Sequence, residues 1–77
     1  MVEGERVWIA RLTPPEGVDV TALLGLRLGL DVWERHPGSL VVAAAERTLG
    51  ELERRRLARV ERWLTREAYE ARVRDRT

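Results

Sequence analysis

Four short segments of the chain have strand-like patterns, and in the first and last of them apolar and polar residues alternate with the period of two that is typical of β-strands. The predicted strands span residues 5–12, 30–35 and 39–45, with a fourth through Val60, Arg62 and Leu64. Residues 13–17 contain two prolines and a glycine, which break regular pairing and end the first strand. Proline followed by glycine also separates the second and third strands, which therefore form a hairpin. Because a type II turn fits a two-residue hairpin poorly, we expect a slightly longer loop there.

Two segments between these strands carry apolar residues at helical spacing and begin with a capping residue. Asp19 can cap a helix through Leu28, and Gly29 would close that helix in the left-handed conformation. Thr48, followed by Glu51 three residues later, has the capping-box pattern of a second helix.

Residues 48–74 permit two interpretations. One is a single long amphipathic helix, because neither glycine nor proline occurs after Gly50. The other is a helix, a strand and a short terminal helix, because residues 60–64 alternate and Thr65 can cap a new helix. We favour the interrupted version.

The resulting order of elements predicts an α+β fold of the ferredoxin-like βαββαβ type. This open sandwich has a four-stranded antiparallel sheet, two helices on one face and a short C-terminal helix. The first and third strands are then central, and the second and fourth lie at the edges. We expect one domain over residues 1–77, because a chain this short buries only a small core.

Three tryptophans occupy strand positions that alternate with aliphatic ones. Trp8 opposes Val7 and Ile9, and Trp33 and Trp63 similarly oppose the aliphatic residues of their own strands. Side chains alternate between the two faces of a sheet, so we predict that the indoles share the uncovered face and form an interface. The candidate interface residues are Trp8, Trp33, Trp63, Arg6, Asp31, Glu34, Arg35 and His36. The alternative is that some indoles are core residues and the strand phase is off by one.

Composition excludes several kinds of site. The chain has no cysteine and one histidine, so neither a disulfide nor a multi-histidine or thiolate metal site is expected. We expect no cofactor. There is no secretory signal pattern and no apolar run long enough to span a bilayer, which indicates a cytoplasmic protein without membrane contact. All 14 basic residues are arginine, but the net charge is only +1, which argues against a dedicated nucleic-acid binder.

One segment resembles a known family. The residues Gly-Leu-Asp-Val-Trp-Glu-Arg-His at 29–36, followed by Gly-Ser-Leu-Val-Val at 38–42 and Leu-Gly-Glu-Leu-Glu at 49–53, resemble the propeptide domains of zinc carboxypeptidases. The similarity is greatest over residues 23–64. It implies a ferredoxin-like fold and a domain that caps a peptidase, with Trp33, Glu34, Arg35 and His36 facing the enzyme. The connection after the second strand is shorter here than in that family.

No arrangement of catalytic residues stands out in the sequence. His36 is the only imidazole, and no third residue can be assigned to orient it toward the neighbouring Ser39. We therefore predict a non-catalytic protein-interaction domain, self-associating through its sheet and, by resemblance, docking on a peptidase. The alternative is a nucleic-acid-binding module that stacks bases on sheet aromatics. A small enzyme is the third hypothesis.

Overall fold

The computed structural model describes residues 6–75, so Glu5, where the predicted first strand begins, lies outside the described part of the chain. The elements are β1 (Val7–Thr13), α1 (Val20–Leu24), β2 (Asp31–His36), β3 (Ser39–Ala45), α2 (Glu46–Arg54), β4 (Arg59–Thr65) and α3 (Arg66–Asp75). Their order is the predicted one. A single helix over residues 48–74 is wrong, because β4 separates α2 from α3.

The strands of residues 6–75 form one antiparallel sheet in the order β2-β3-β1-β4. As predicted, the first and third strands are central and the second and fourth are at the edges. Within the described residues the fold is thus α+β, with a four-stranded antiparallel open sheet and three helices.

The main core lies between one sheet face and the helices α1 and α2. It contains buried residues from even-numbered positions of β1 and β3 and from the inner sides of both helices: Ala10, Leu12, Leu40, Val42, Ala44, Val20, Leu23, Leu49 and Leu52. Full burial of one such aliphatic side chain contributes about 1.5–3 kcal/mol.

The opposite sheet face carries a second, smaller cluster. Ile9, Val41 and Ala43 are buried there, and Val7 and Leu64 pack beside them. Helix α3 lies over this face and contacts β1 and β4. The sequence-based expectation of one fully uncovered face is therefore wrong, because the terminal helix folds back onto it.

Helix α1 begins as predicted but ends earlier. The Thr21 N–H donates to Asp19 Oδ1 at 3.3 Å, which confirms the capping role of Asp19. The helix stops at Leu24 with Gly25 as its C-cap residue, where glycine lacks the propensity to propagate a helix. Gly29 has the expected left-handed conformation, with φ at 73°, but it precedes β2 and caps no helix.

Helix α2 starts directly from β3, two residues before Thr48. Ala45 is the N-cap residue and makes no side-chain capping hydrogen bond, so the predicted capping box at Thr48 is wrong. Thr48 Oγ1 instead donates to the Leu28 carbonyl at 3.5 Å. The Glu46 N–H is bonded outside the helix, to the Arg6 carbonyl at 2.8 Å.

The end of α2 is closed by a Schellman motif. The Arg56 N–H donates to the Glu53 carbonyl at 3.1 Å and the Leu57 N–H to the Leu52 carbonyl at 2.9 Å. This motif needs a left-handed residue after the C-cap, a place that glycine usually fills. Here Arg56 adopts it, with φ at 56°.

Two further local predictions have opposite outcomes. The connection between β2 and β3 is only Pro37 and Gly38, and His36 pairs directly with Ser39, so the expected longer loop is wrong. Gly38 has no positive φ, which excludes a type II turn. Thr65 does cap α3, since its Oγ1 accepts from the Ala68 N–H at 3.1 Å.

Candidate functional site

A groove of about 310 Å³ runs between α3 and the sheet face beneath it. We call it the aromatic groove; it is lined by Ile9, Trp33, Glu34, Val41, Trp63, Leu64, Tyr69, Arg72 and Val73. Its rim is unusually apolar for a surface, because Trp33 is 36% exposed, Trp63 44% and Tyr69 37%. Exposed aromatic patches of this kind mark binding surfaces more often than isolated apolar residues do.

Each edge strand has a register shift at the tryptophan that it contributes to this face. On β2 the pairing moves from Val32 opposite Val42 to Glu34 opposite Val41, which leaves Trp33 as the extra residue of a bulge. Trp33 and Glu34 consequently both line the aromatic groove, although they are adjacent in sequence.

The equivalent irregularity on β4 falls at Trp63. Leu64 pairs with Ile9 and Arg62 pairs with Ala10, so Trp63 has no partner of its own on β1. Trp63 and Leu64 therefore lie on one face, and the predicted opposition between them is wrong.

Two contacts hold the Trp33 indole in place. Its ring meets Tyr69 of α3 edge to face, with 5.0 Å between the ring centroids and an angle of 67°. Its Nε1–H donates to Asp31 Oδ2 at 3.1 Å, so the polar atom is satisfied on its own strand. Such a ring is presented in one orientation, which lowers the entropy cost of binding.

A more polar cleft adjoins the aromatic groove and shares Glu34, Val41 and Trp63 with it. Here the Arg11 guanidinium lies over the Trp63 ring, 5.4 Å from Cζ to the ring centroid. A cation held against an indole in this way remains available to a carboxylate from another molecule.

His36 also lines this cleft, and the structure gives it a partner that the sequence did not reveal. Its Nε2 lies 2.9 Å from Glu34 Oε1, while Ser39 lies across the turn in the same cleft. Both side chains are at least half exposed, so the contact contributes little to stability.

Trp8 lies on the other side of the sheet. It packs against the main core under the helices, with its Nε1 buried and without a hydrogen bond among the described residues. The prediction that all three indoles share a face is therefore wrong for Trp8. Its strand is apolar on both faces, and alternation alone does not say which face meets α1 and α2.

The predicted interface residues thus divide into two groups. Asp31, Glu34 and His36 join Trp33 and Trp63 on the α3 side. Arg35 pairs with the core residue Leu40, and Arg6 lies near Glu46 at the start of α2. These two arginines and Trp8 belong to the opposite side of the molecule.

Sequence reasoning missed Tyr69, Arg11 and Val73 as members of this surface. Tyr69 and Val73 are four residues apart, which is the spacing that puts two side chains on one side of a helix. That signal was present but did not say which sheet face α3 would cover.

A charged network fixes β4 to α2 on the helix-covered side. The Arg62 guanidinium donates to both Glu46 carboxylate oxygens, at 3.0 and 2.8 Å, and to both oxygens of Glu53 at 3.1 Å. The hydrogen bond from Arg62 lowers the pKa of the Glu46 carboxyl, and the charges of Arg62 and Arg6 act in the same direction. The hydrogen bond to Glu53, followed in size by the one to Glu46, raises the pKa of Arg62.

Comparison with known proteins gives this chain no relatives: no protein-family model, curated protein or solved structure matches it. No helix among residues 6–75 is long and apolar enough to cross a membrane. In the same range, no group of three or more His, Cys, Asp or Glu side chains is arranged to hold a metal ion.

Proposed function

We propose that the protein is a non-catalytic protein-interaction domain that self-associates through the aromatic groove and the sheet face around it. The observation that carries this proposal is the exposure of Trp33, Trp63 and Tyr69 together on one face. Tryptophan and tyrosine dominate the binding energy of many interfaces, and a small domain rarely leaves several of them in water.

The proposed fold type is the ferredoxin-like split arrangement. The order β2-β3-β1-β4 and the antiparallel pairing support it, as does the placement of α1 and α2 against a common face. In this arrangement the second sheet face is the natural surface for a partner.

A second copy of the chain fits the charge pattern of this face. Acidic groups come from the edge strand β2, through Asp31 and Glu34, whereas basic groups come from Arg11 on β1 and Arg72 on α3. A two-fold interface must be complementary to itself, and a face that carries both signs on different elements meets that condition.

The oligomeric state in solution tests this proposal. Light scattering coupled to size-exclusion chromatography should show a dimer in the micromolar range. Trp63→Ala should weaken association by about tenfold or more, as expected for an interface anchor. Leu24→Ala is the matched control, because Leu24 is an equally exposed apolar residue on α1. A monomer at all concentrations, or equal effects of both substitutions, would refute self-association through this face.

Docking on a peptidase is a second candidate that rests on the resemblance of residues 30–33 to carboxypeptidase propeptides. The exposure of Trp33 next to the short β2–β3 turn favours it. The purified chain should then slow a zinc carboxypeptidase in a dose-dependent way, and Trp33→Ala should abolish the effect. Salt-sensitive binding of single-stranded RNA by a monomeric chain would favour the nucleic-acid hypothesis instead.

A further inference from the structure

A second groove, of about 630 Å³, lies at one end of the sheet and shares no lining residue with the aromatic groove. Its apolar wall consists of Pro14 and Pro15 after β1 and of Ala58 and Val60 at the start of β4. Its volume lies within the range of small-molecule sites, which are mostly apolar with a few polar groups that orient the ligand.

Two arginines face this groove without a partner. Arg56 and Arg59 both line it, and neither side chain makes a hydrogen bond or ion pair with any other residue that the structure describes. Their neighbours in the arginine run behave differently, since Arg54 and Arg55 both bind Glu51. Basic residues near a helix C-terminus usually stabilise the helix dipole, and at the end of α2 Arg54 and Arg55 already do this.

The backbone of Arg56 adds an independent observation. Among residues 6–75 it is the only residue other than glycine with a positive φ. Glycine would close α2 there without the strain that a side chain introduces, and non-glycine residues held in this conformation are found preferentially at ligand sites. The placement therefore supplies a guanidinium where the fold alone would favour glycine.

Two carboxylates line the groove beside the two arginines. Glu53 already accepts two hydrogen bonds from Arg62, which also binds Glu46, so Glu53 belongs to that network. Glu16 is then the lining carboxylate that opposes the two arginines. The Schellman motif also occupies the Leu52 and Glu53 carbonyls at this end of α2, which would otherwise repel an anion.

We infer that this groove binds a small organic anion, with a phosphate or carboxylate group held by Arg56 and Arg59 and an apolar body against the two prolines. Guanidinium groups suit both anions because their planar N–H donors match two oxygens at once. The site is independent of the proposed self-association.

Amide shifts in a titration followed by nuclear magnetic resonance test the inference, with phenyl phosphate and benzoate as probes and phenol as the neutral control. One or both anions should give saturable amide shifts confined to Thr13, Glu16 and residues 56–60, whereas phenol should not. The two anion arms distinguish a phosphate from a carboxylate ligand. Shifts that grow linearly, spread over the surface or match those from sodium chloride would overturn the inference.

Variants separate binding from folding. Arg59→Ala and Arg56→Gly should each weaken the anion at least about fivefold, as expected for the loss of a charge-assisted contact. Glu16→Gln should strengthen it, because the opposing carboxylate is removed. Arg27→Ala changes the net charge equally at an exposed site outside the groove and should leave affinity unchanged. Equal losses of anion affinity in Arg27→Ala and Arg59→Ala would show that the anion is attracted only nonspecifically, by net charge.

Discussion

Arg56 combines a favourable hydrogen-bonding position with an unfavourable backbone conformation. A left-handed conformation costs a residue with a Cβ atom about 1–2 kcal/mol, although the Schellman motif at the end of α2 requires it. We expect Arg56→Gly to raise the free energy of unfolding by about 1 kcal/mol, measured by urea denaturation.

Arg56→Ala is the control for this prediction, because it removes the guanidinium but keeps the Cβ atom. Its stability should stay at or below that of the unmodified chain. If alanine stabilises the protein as much as glycine does, the side chain and not the backbone is the source of the strain.

Arg62 connects β4 to both ends of α2 through Glu46 and Glu53. The Arg62 side chain is only 24% exposed, so its hydrogen bonds are screened less than those between two fully exposed side chains. We expect Arg62→Met to lower the free energy of unfolding by about 1–2 kcal/mol. Arg55→Met, which breaks an exposed contact with Glu51, should cost less than about 0.5 kcal/mol. Equal losses in the two variants would contradict this ranking.

The same network predicts how stability depends on pH. Because Arg62 lowers the pKa of Glu46 in the folded chain, the unfolded chain binds this proton more tightly. The stabilisation is complete above the ordinary glutamate pKa and is lost as pH falls through the lowered value. Denaturation midpoints measured from neutral pH into the acid range should therefore fall less steeply in Glu46→Gln. An unchanged acid slope would show that Glu46 contributes nothing.

At the scale of elements, the sequence correctly predicted several features that depend on residues close together in the chain. Asp19 and Thr65 cap helices where expected, and alternation located the four strands. The bulges at Trp33 and Trp63 could not be read in this way, because one extra residue in a strand reverses the face of everything beyond it. Alternation placed Trp33 and Trp63 correctly on the face opposite Val32 and Val60, but it failed for Leu64, which follows the β4 bulge.

The packing of Tyr69 on Trp33 is one of the contacts that hold helix α3 to the sheet. An edge-to-face aromatic pair contributes about 0.5–1.5 kcal/mol beyond its buried area. Tyr69→Ala should therefore speed hydrogen exchange of the α3 amides by up to about tenfold, while the β1 and β3 amides keep their protection. Tyr69→Phe retains the ring and should behave like the unmodified chain. Equal loss of protection in α3 and the central strands would mean that they open together.

At the scale of the molecule, the location of the candidate surface depended on contacts distant in sequence. β1 carries apolar side chains on both faces because α1 and α2 cover one face and α3 the other. The sequence of β1 does not show which of its faces is covered by α1 and α2 and which by α3. It is therefore compatible with Trp8 on either face. The element order, in contrast, follows from short-range signals and was predicted correctly.

The proposed self-association would make the stability of the molecule depend on its concentration. For a dimer of this chain length, a tenfold increase in concentration should raise the midpoint of thermal unfolding by about 3–5 °C. Calorimetry on the unmodified chain should show this increase, and Trp63→Ala should remove it. A midpoint that does not move with concentration in the unmodified chain would contradict a dimer.

The two bulges also bear on how large an assembly can become. A long, regular outer strand offers a row of unpaired N–H and C=O groups that can recruit further chains without limit, as in fibres. In this protein both outer strands are short and interrupted, β2 at Trp33 and β4 at Trp63, so continuous pairing with another chain would be broken after a few residues. For the proposed self-association, these two irregularities beside the indoles would thereby favour a closed assembly over open-ended growth.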